Sequence, residues 1–327
     1  MASIEDVAKK ARVSVTTVSR ALNNHPYVSE KTKKKIEKAM ADLNYFPNNV
    51  AQQLRGKKSK MIGVIISYIT NPFFAYLVNE IEKTALAKGY NLVVLQTQGN
   101  LELEDFFIQL ISKKQLDGII VTNLEHATDN IVQLIDEGKI ILCNRYIGSK
   151  DLPVIQIDEE AASYQGTKFL IEKGHRKIAF CTGNIRNAHD HRFKGFLKTL
   201  KEAGIEFSDT DYYENILGAA GGRQFLQKMM ATDTLRPTAV FSNGDEVAAG
   251  IISEARKFQL TIPTDLAVLG FDDQPMAALT NPEITTIHQP IEEMGRLAAE
   301  ALIAKIEEQP VPKAAPLETR LIVRESV

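Results

Sequence analysis

Apolar residues recur with the 3.6-residue period of an α-helix through the first 46 positions, and this pattern predicts three short amphipathic helices. Their apolar stripes are Ile4–Val7–Ala8–Ala11, Val15–Val18–Leu22 and Ile36–Ala39–Met40–Leu43. Ser14 and Ser29 are the expected N-caps of the second and third helices, because a serine hydroxyl accepts hydrogen bonds from the first turn. The tight turn between the first two helices predicts a helix-turn-helix.

The second helix has an unusual polar face, made of small hydroxyl side chains and one arginine. β-Branched and hydroxyl-bearing residues are poor helix formers on a solvent-exposed face. They suit a helix pressed against DNA, where hydroxyls contact phosphates and arginine reaches guanine edges. We therefore interpret 13–23 as a recognition helix. Val15, Thr16 and Arg20 are the expected base contacts. The expected phosphate contacts are Ser14, Thr17, Ser19, Asn23 and Asn24.

From Met61 onward the pattern changes to short apolar runs that alternate with helical stretches. The runs are Ile62–Ile66, Leu92–Leu95, Gly118–Val121, Ile140–Cys143, Val154–Ile157, Ile178–Cys181, Ala239–Phe241 and Leu266–Leu269. Such alternation predicts parallel sheets covered by helices on both faces. About ten strands exceed what one such sheet holds at this length, so we expect two similar halves.

Charge is distributed unevenly along the chain. Residues 1–60 hold 13 of the 39 Lys and Arg residues but only 5 of the 41 Asp and Glu residues. A basic N-terminal part on an acidic body indicates nucleic acid binding at one end. No apolar run is long enough to span a membrane, and 1–6 lack the pattern of a signal peptide. We expect a cytoplasmic protein.

The residue patterns give little support for catalysis. The chain shows no nucleophile elbow, no Walker-type glycine loop and no cluster of metal ligands. Cys143 and Cys181 each end an apolar run and are expected to be reduced core residues. The segment Gly218–Gly222 lacks dinucleotide-binding spacing and is interpreted as a loop entering a helix. We expect no cofactor and no metal.

Several segments resemble the lactose-repressor (LacI/GalR) family of bacterial transcription regulators, and the resemblance covers essentially the whole chain. The matching segments are Ile4–Ala11, Val15–Asn23, Tyr45–Gly56, Asp117–Gly118, Lys173–His175, Gly270–Asp273, Thr285–Pro290 and Leu321–Ser326. The resemblance implies a multidomain protein with an all-α helix-turn-helix domain at 1–46 and a hinge at 47–60. It implies a periplasmic-binding-protein-like α/β core at 61–327, built from two doubly wound parallel-sheet subdomains.

The resemblance also implies how the chain crosses between these subdomains. The first would comprise about 61–157 and 290–317, and the second about 158–289 and 318–327. Residues 48–56 would form a hinge helix, ended by Gly56, that orders on operator DNA and pairs with its twin. Its Val50, Ala51 and Leu54 would face the minor groove, with the leucine inserted between base steps. A buried interdomain role for Leu54 is the alternative.

Ligands of open parallel sheets lie beyond the carboxyl ends of the strands. Aromatic, Asn, Arg and Asp side chains follow several of the apolar runs, a combination typical of a site for a polyhydroxylated ligand. By resemblance, Asp272 and Arg192 form the ligand clamp, with Phe73, Asn144 and Arg186 nearby. A structural Asp272–Arg192 ion pair and core packing of Phe73 are the alternatives. Leu217 and Gly244 depart from the sugar-binding members.

These patterns predict a homodimeric repressor that binds a palindromic operator. A small-molecule effector, a sugar or sugar derivative, would bind between the lobes and control DNA binding. One alternative is a regulator of the same fold controlled by a partner protein or a non-sugar corepressor. A sugar-binding transport receptor is a further alternative, against which the basic N-terminal part and the absent signal peptide both argue.

Overall fold

The computed structural model describes residues 2–22, 26–45, 58–124, 126–183, 185–187, 189–232, 236–312 and 316–327. The chain forms two compact units, which divide between Ser59 and Lys60. The predicted hinge residues Val50, Ala51 and Leu54, and the predicted phosphate contacts Asn23 and Asn24, lie outside the described residues. The fold class expected from the sequence is confirmed.

The N-terminal unit contains three helices: α1 (Ile4–Ala11), α2 (Val15–Leu22) and α3 (Glu30–Asp42). Its core is built from one to three small or branched residues of each helix, namely Val7, Ala8, Ala11, Val18, Ile36 and Ala39. The expected caps are present. The Ser14 Oγ accepts a hydrogen bond from the Thr17 N–H at 3.1 Å, and the Ser29 Oγ accepts one from the Thr32 N–H at 3.3 Å.

The first sheet of the large unit has the strand order β2-β1-β3-β4-β5, all parallel. Its strands are β1 (Met61–Ile66), β2 (Asn91–Gln96), β3 (Gly118–Leu124), β4 (Ile140–Tyr146) and β5 (Val154–Ile155). The connecting helices are α4 (Pro72–Ala87), α5 (Leu101–Ser112) and α6 (Asp129–Asp136). We call this sheet and its helices the first lobe.

The second sheet has the order β11-β10-β9-β8-β6-β7, parallel except for the antiparallel β10–β11 pair. Its strands are β6 (Ile178–Cys181), β7 (Tyr212–Tyr213), β8 (Ala239–Phe241), β9 (Ala267–Asp272), β10 (Thr285–His288) and β11 (Arg320–Ile322). Its helices are α7 (Glu159–Glu172), α8 (His191–Glu202), α9 (Gly218–Met230) and α10 (Asp245–Ala255). Together they form the second lobe.

The chain crosses between the lobes more than once. After β10, helix α11 (Ile291–Ile306) returns to the first lobe and packs against α4 and β4, before β11 joins the second sheet. The α4–α11 contact is close, since a Cβ on Gly295 would lie 3.0 Å from the Leu77 carbonyl oxygen. The chain therefore passes from one lobe to the other between β10 and α11, and passes back between α11 and β11.

Three local expectations differ from the structure. β4 continues through Asn144 and Arg145 because it stays paired with β3 as far as Leu124. β9 likewise includes Asp272, which pairs with His288. Polar residues were expected to end these strands, but strand pairing is a property of the backbone and continues past them.

The expected loop at Gly218–Gly222 is wrong, because these residues form the first turns of α9. The structure shows why the segment is glycine-rich. A Cβ on Gly222 would lie 2.1 Å from the Val247 carbonyl oxygen, so glycine allows α9 and α10 to approach closely.

Candidate functional site

The exposed face of α2 carries the side chains predicted to read DNA bases. Val15, Thr16 and Arg20 are all exposed, whereas Val18 is fully buried in the core of the N-terminal unit. The apolar stripe of this helix is therefore only partly buried, because the Val15 side chain is 41% exposed. An exposed valine beside Thr16 leaves an apolar contact available to a ligand.

Residues at the start of α2 are held in place by local hydrogen bonds. Arg12 adopts the left-handed conformation (φ 57°) that ends α1 and turns the chain. The Ser14 and Thr17 hydroxyl oxygens then lie 2.8 Å apart. Ser14 is exposed, and Thr17 and Ser19 are half-buried. The first turn of α2 thus presents hydroxyls beside a helix N-terminus, a suitable environment for phosphate.

A cavity of about 400 Å³ lies between the lobes of the large unit. It is bordered by the carboxyl ends of strands from both sheets, as the strand-end rule predicts. Four of the predicted effector contacts line it: Phe73, Asn144, Arg192 and Asp272. Further lining residues that follow or end the predicted apolar runs, or that the resemblance singled out, are Ser67, Tyr68, Asn71, Phe74, Arg145, Leu217 and Asn243. Phe73 and Phe74 also belong to the core, where their rings pack edge to face, so these side chains serve both roles.

Asp272 is buried in the cavity wall and is surrounded by amides. Its Oδ1 accepts a hydrogen bond from Gln289 Nε2 at 2.6 Å, and its Oδ2 accepts one from Gln274 Nε2 at 3.2 Å. Burial raises the pKa of Asp272 to about 6, although Arg192 opposes the shift. The backbone of Asp272 is in the left-handed region (φ 100°), which is a strained conformation for a non-glycine residue.

A second buried carboxylate lies near Asp272, outside the cavity. Asp245 is fully buried, accepts hydrogen bonds from the Thr286 hydroxyl (2.6 Å) and the Gln274 N–H (2.7 Å), and lies outside the cavity lining. Burial and the nearby Asp272 charge raise the pKa of Asp245 well above its ordinary value. Gln274 therefore links two neighbouring carboxyl groups, one in the cavity wall and one in the core.

Arg192 does not form the direct ion pair with Asp272 that was the alternative interpretation. Its Nε donates to Glu159 Oε1 at 2.7 Å, its Nη1 donates to the Asn243 carbonyl at 3.2 Å, and its guanidinium lies 3.8 Å above the Phe271 ring. Burial raises the pKa of Glu159, but Arg192 and Arg145 outweigh this effect, so the pKa lies below its ordinary value. Arg192 is thus held rigidly beside the cavity.

The first lobe contributes a chain of carboxamides. Asn144 Nδ2 donates to Asn123 Oδ1 at 2.8 Å, and Asn123 Nδ2 donates to Ser67 Oγ at 3.2 Å. Asn144 also has a left-handed backbone (φ 73°). A carboxamide both donates and accepts hydrogen bonds, which matches the two roles of a hydroxyl group.

The structure does not bring Arg186 to this cavity. Its Nη1 donates to Asp209 at 2.7 Å, and its guanidinium lies about 5 Å from the ring centres of Phe193 and Tyr212. Arg186 is held on the second lobe by a carboxylate and two aromatic rings. The position of Arg186 after an apolar run does not predict these partners.

Sequence reasoning also missed several lining residues: Thr97, Gly99, Asn100, Leu101, Glu104, Asn123, Leu124, Ile147, Gly183, Asn215 and Gln289. Those from Thr97 to Leu124 follow or end strands β2 and β3, so the strand-end rule applied to these two runs finds most of them. Gln289 follows β10, whose short apolar content gave no strong strand signal.

Among the described residues, no group of three or more His, Cys, Asp or Glu side chains is arranged to hold a metal ion. Cys143 and Cys181 are buried and free, as expected. No helix of the described residues is long and apolar enough to cross a membrane.

Comparison with known proteins places these features in a family. Residues 3–48 match bacterial regulatory proteins of the lacI family, and 167–327 match a periplasmic binding protein-like domain. The NTD biosynthesis operon regulator NtdR of Bacillus subtilis is 38% identical over the full length of both chains. The HTH-type transcriptional repressor PurR of Pasteurella multocida is 33% identical over 100% of this chain and 99% of its own.

A solved structure agrees with these relatives. The Lac repressor dimer bound to operator and the anti-inducer ONPF superposes with a TM-score of 0.82 at 28% identity, covering 99% of this chain and 98% of that one. These similarities show a transcriptional regulator and not an enzyme. With its helix-turn-helix unit and two-lobed core, the chain belongs to the LacI family of DNA-binding transcriptional repressors.

Proposed function

We propose that the protein is a homodimer that represses transcription from a palindromic operator, and that a small polyhydroxylated molecule in the interlobe cavity controls its DNA binding. The cavity carries the effector part of this proposal, because carboxamides and a buried carboxylate border it on opposite lobes. The exposed polar face of α2 supports the DNA part.

In the proposed complex, α2 enters the major groove. Arg20 reaches a guanine edge and Val15 and Thr16 contact neighbouring bases, while Ser14, Thr17 and Ser19 contact phosphates. Asn23 and Asn24 extend the phosphate contacts on sequence grounds alone. Two copies related by a twofold axis then read two half-sites, which makes the operator a palindrome.

The hinge provides the proposed link between effector and DNA. Val50, Ala51 and Leu54 are expected to pair with their twins and to widen the minor groove, with Leu54 between base steps. An effector changes repression only through its different affinities for the two arrangements of the core. The ratio of its affinities for the closed and open lobes thereby sets how often the hinges pair.

Apolar side chains exposed on the first lobe support dimer formation. Val94 on edge strand β2, Tyr76 on α4 and Phe106 on α5 are between 43% and 50% exposed, and they lie on three consecutive elements. An edge strand and its flanking helices that expose apolar side chains offer a surface that a second copy can cover. A second copy of this chain is the proposed partner, in agreement with the dimeric Lac repressor.

The charges around the cavity favour an uncharged effector. Arg192 contacts Glu159, and Arg145 Nη2 lies 3.0 Å from Asp190 Oδ1. A phosphate group entering the cavity has to compete with these buried carboxylates for both arginines, and it also meets the charge of Asp272. A neutral sugar avoids this cost and matches the hydroxyl-binding amides. We therefore favour a neutral sugar over a sugar phosphate.

Two competing functions make different predictions. A regulator controlled by a partner protein or a non-sugar corepressor needs no carbohydrate affinity in the cavity. A transport receptor needs carbohydrate affinity but no operator. Family membership argues against the transport receptor.

The test combines a DNA selection with calorimetry. We expect selection from random duplexes to yield a palindrome, and sedimentation to show a dimer on it. Titration with neutral mono- and disaccharides and their phosphates should give heat for a neutral sugar. Asp272→Ala should abolish the heat, whereas Asp129→Ala, at an exposed position of the first lobe, should not. Binding of phosphates alone would contradict the charge argument, and no carbohydrate binding would favour the partner-controlled alternative.

A further inference from the structure

We propose that Arg145 is an interlobe latch, whose contacts with Glu159 and Asp190 set the fraction of molecules with closed lobes. The inference extends the effector control proposed above, because it identifies a positioning residue that acts on lobe closure. Arg145 belongs to β4 of the first lobe, whereas both carboxylates belong to the second lobe.

The latch has one short and one longer ionic contact, and both are largely shielded from water. Arg145 Nη2 lies 3.0 Å from Asp190 Oδ1, and Arg145 Nε lies 3.6 Å from Glu159 Oε2. The side chains of Arg145, Glu159 and Asp190 are 14%, 5% and 3% exposed. An ion pair this deeply buried is weakly screened by salt, unlike one at the surface.

Both carboxylates are fixed to the second lobe by separate interactions. Asp190 caps α8, where its Oδ1 accepts hydrogen bonds from the N–H groups of Arg192 and Phe193 at 3.0 and 3.2 Å. Glu159 binds Arg192 Nε through its other oxygen. Neither carboxylate is free to follow Arg145 when the lobes separate. Opening therefore stretches the Arg145 contacts and leaves those of Arg192 intact.

Breaking such a pair is unfavourable until water reaches both charges, because a buried charge without its partner is poorly solvated. The latch thus favours the closed lobes even without effector. An effector that binds both lobes adds to this bias, and the two effects multiply in the closed-to-open equilibrium constant. Arg145 lines the cavity, so the latch and the effector site share one wall.

Arg186, which is more exposed than Arg145, provides a control within one lobe. It is also an arginine paired with a carboxylate, but its partner Asp209 belongs to the same lobe. Replacing Arg186 removes a charge and an ion pair from the second lobe without touching the contact between lobes. A latch is indicated if replacing Arg145 opens the lobes and replacing Arg186 does not. A merely structural role is indicated if the two replacements have the same effect on the lobes.

The experiment measures the lobe separation directly. Spin labels are placed on Asp105→Cys in α5 and Lys194→Cys in α8, two exposed positions on opposite sides of the cleft. Cys143 and Cys181 are buried, which protects them from labelling. Pulsed electron spin resonance on the full-length protein without DNA or sugar then gives the distance distribution for Arg145→Met, Asp190→Asn and Arg186→Met.

We expect the closed-to-open ratio to fall roughly tenfold or more in Arg145→Met. Asp190→Asn should act in the same direction, because asparagine keeps the helix cap but loses the charge. Their combination should open the lobes little further than either alone, and Arg186→Met should match the wild type. Asp190→Asn keeps the test decisive if Arg145→Met does not fold.

An unchanged distance distribution in Asp190→Asn, or equal opening in Arg186→Met, would overturn the latch. Lower thermal stability with unchanged distances would show a merely structural arginine and would overturn it too. These measurements use neither operator nor effector. A failure to find a carbohydrate effector therefore contradicts the proposed function and leaves the result on the latch standing.

Discussion

Replacing Asp272 with asparagine should stabilise the protein at neutral pH while weakening effector binding. Asp272 is 7% exposed, and burial is the largest cause of its raised pKa. The amide oxygens of Gln274 and Gln289 are buried without a hydrogen-bond partner. An asparagine side chain has nearly the same shape and carries no charge. One of the two glutamine carboxamides, which now donate to Asp272, can turn over so that its oxygen accepts from the new N–H₂ group.

The magnitude follows from the change in pKa. Folding raises the pKa from 3.8 to about 6, and each unit of pKa corresponds to about 1.4 kcal/mol. The ionised carboxylate therefore costs about 3 kcal/mol of folding free energy, as an order of magnitude. Because the folded-state pKa is raised, this cost is absent below pH 3.8, grows between pH 3.8 and about 6, and is fully present above that range.

Urea unfolding at several pH values measures this effect. The stability difference between Asp272→Asn and wild type should be small near pH 4 and should reach a plateau of about 3 kcal/mol above pH 7. Asp273→Asn is the matched control. Asp273 binds Arg324 at 2.8 Å and His288 at 3.0 Å, so its loss should destabilise the protein at neutral pH.

We expect the asparagine variant to be the more stable protein at neutral pH, because burial opposes the charge of Asp272. If Asp272→Asn were less stable than wild type at pH 7.5, then the hydrogen bonds and the Arg192 charge would outweigh burial. A stability gain that did not change with pH would also refute it, because the gain would not come from ionisation. Retention of full effector affinity in a stabilised Asp272→Asn protein would remove Asp272 from the proposed binding site.

Three further outcomes are expected. Arg20→Ala should cost about 1–3 kcal/mol of discrimination at one base pair in each half-site; unchanged preference in a binding selection would exclude Arg20 as a base contact. Leu54→Ala should weaken operator binding and reduce DNA bending, measured by gel retardation of permuted fragments; wild-type bending would contradict the hinge interpretation. Gly195→Ala should lower stability by about 1–3 kcal/mol in thermal unfolding, because its Cβ would lie 2.1 Å from the Glu160 carbonyl oxygen. No loss would mean that α7 and α8 separate freely.

Apolar patterning predicted the elements of this protein well, because a buried parallel strand must be apolar on both faces. The runs Ile178–Cys181 and Ala239–Phe241 coincide with β6 and β8. Strand ends were less predictable. Asn144 and Asp272 looked like loop residues because of their polarity, although their backbones still pair with neighbouring strands.

The candidate site was predicted in part for a related reason. The strand-end rule identified Asn144, Arg192 and Asp272 because parallel strands of one sheet end at one edge. The same rule placed Arg186 in the cavity, where the structure does not find it. The rule locates a residue near an edge, but it contains no information about which way a long side chain turns or which carboxylate it meets.

Local patterns along the chain predicted a basic helical N-terminal part and a two-sheet core, and the fold class is confirmed. They also led to the interpretation of 13–23 as a recognition helix, which stays a prediction. These features follow from local periodicity and charge, which depend on neighbours along the chain. The pairing of Arg192 with Glu159, and that of Arg145 with Asp190 across the cleft, depend on the tertiary structure. These partners lie between 33 and 45 positions apart. Such pairings arise because helices pack on sheets and the two lobes come into contact. Local sequence patterns therefore do not predict them.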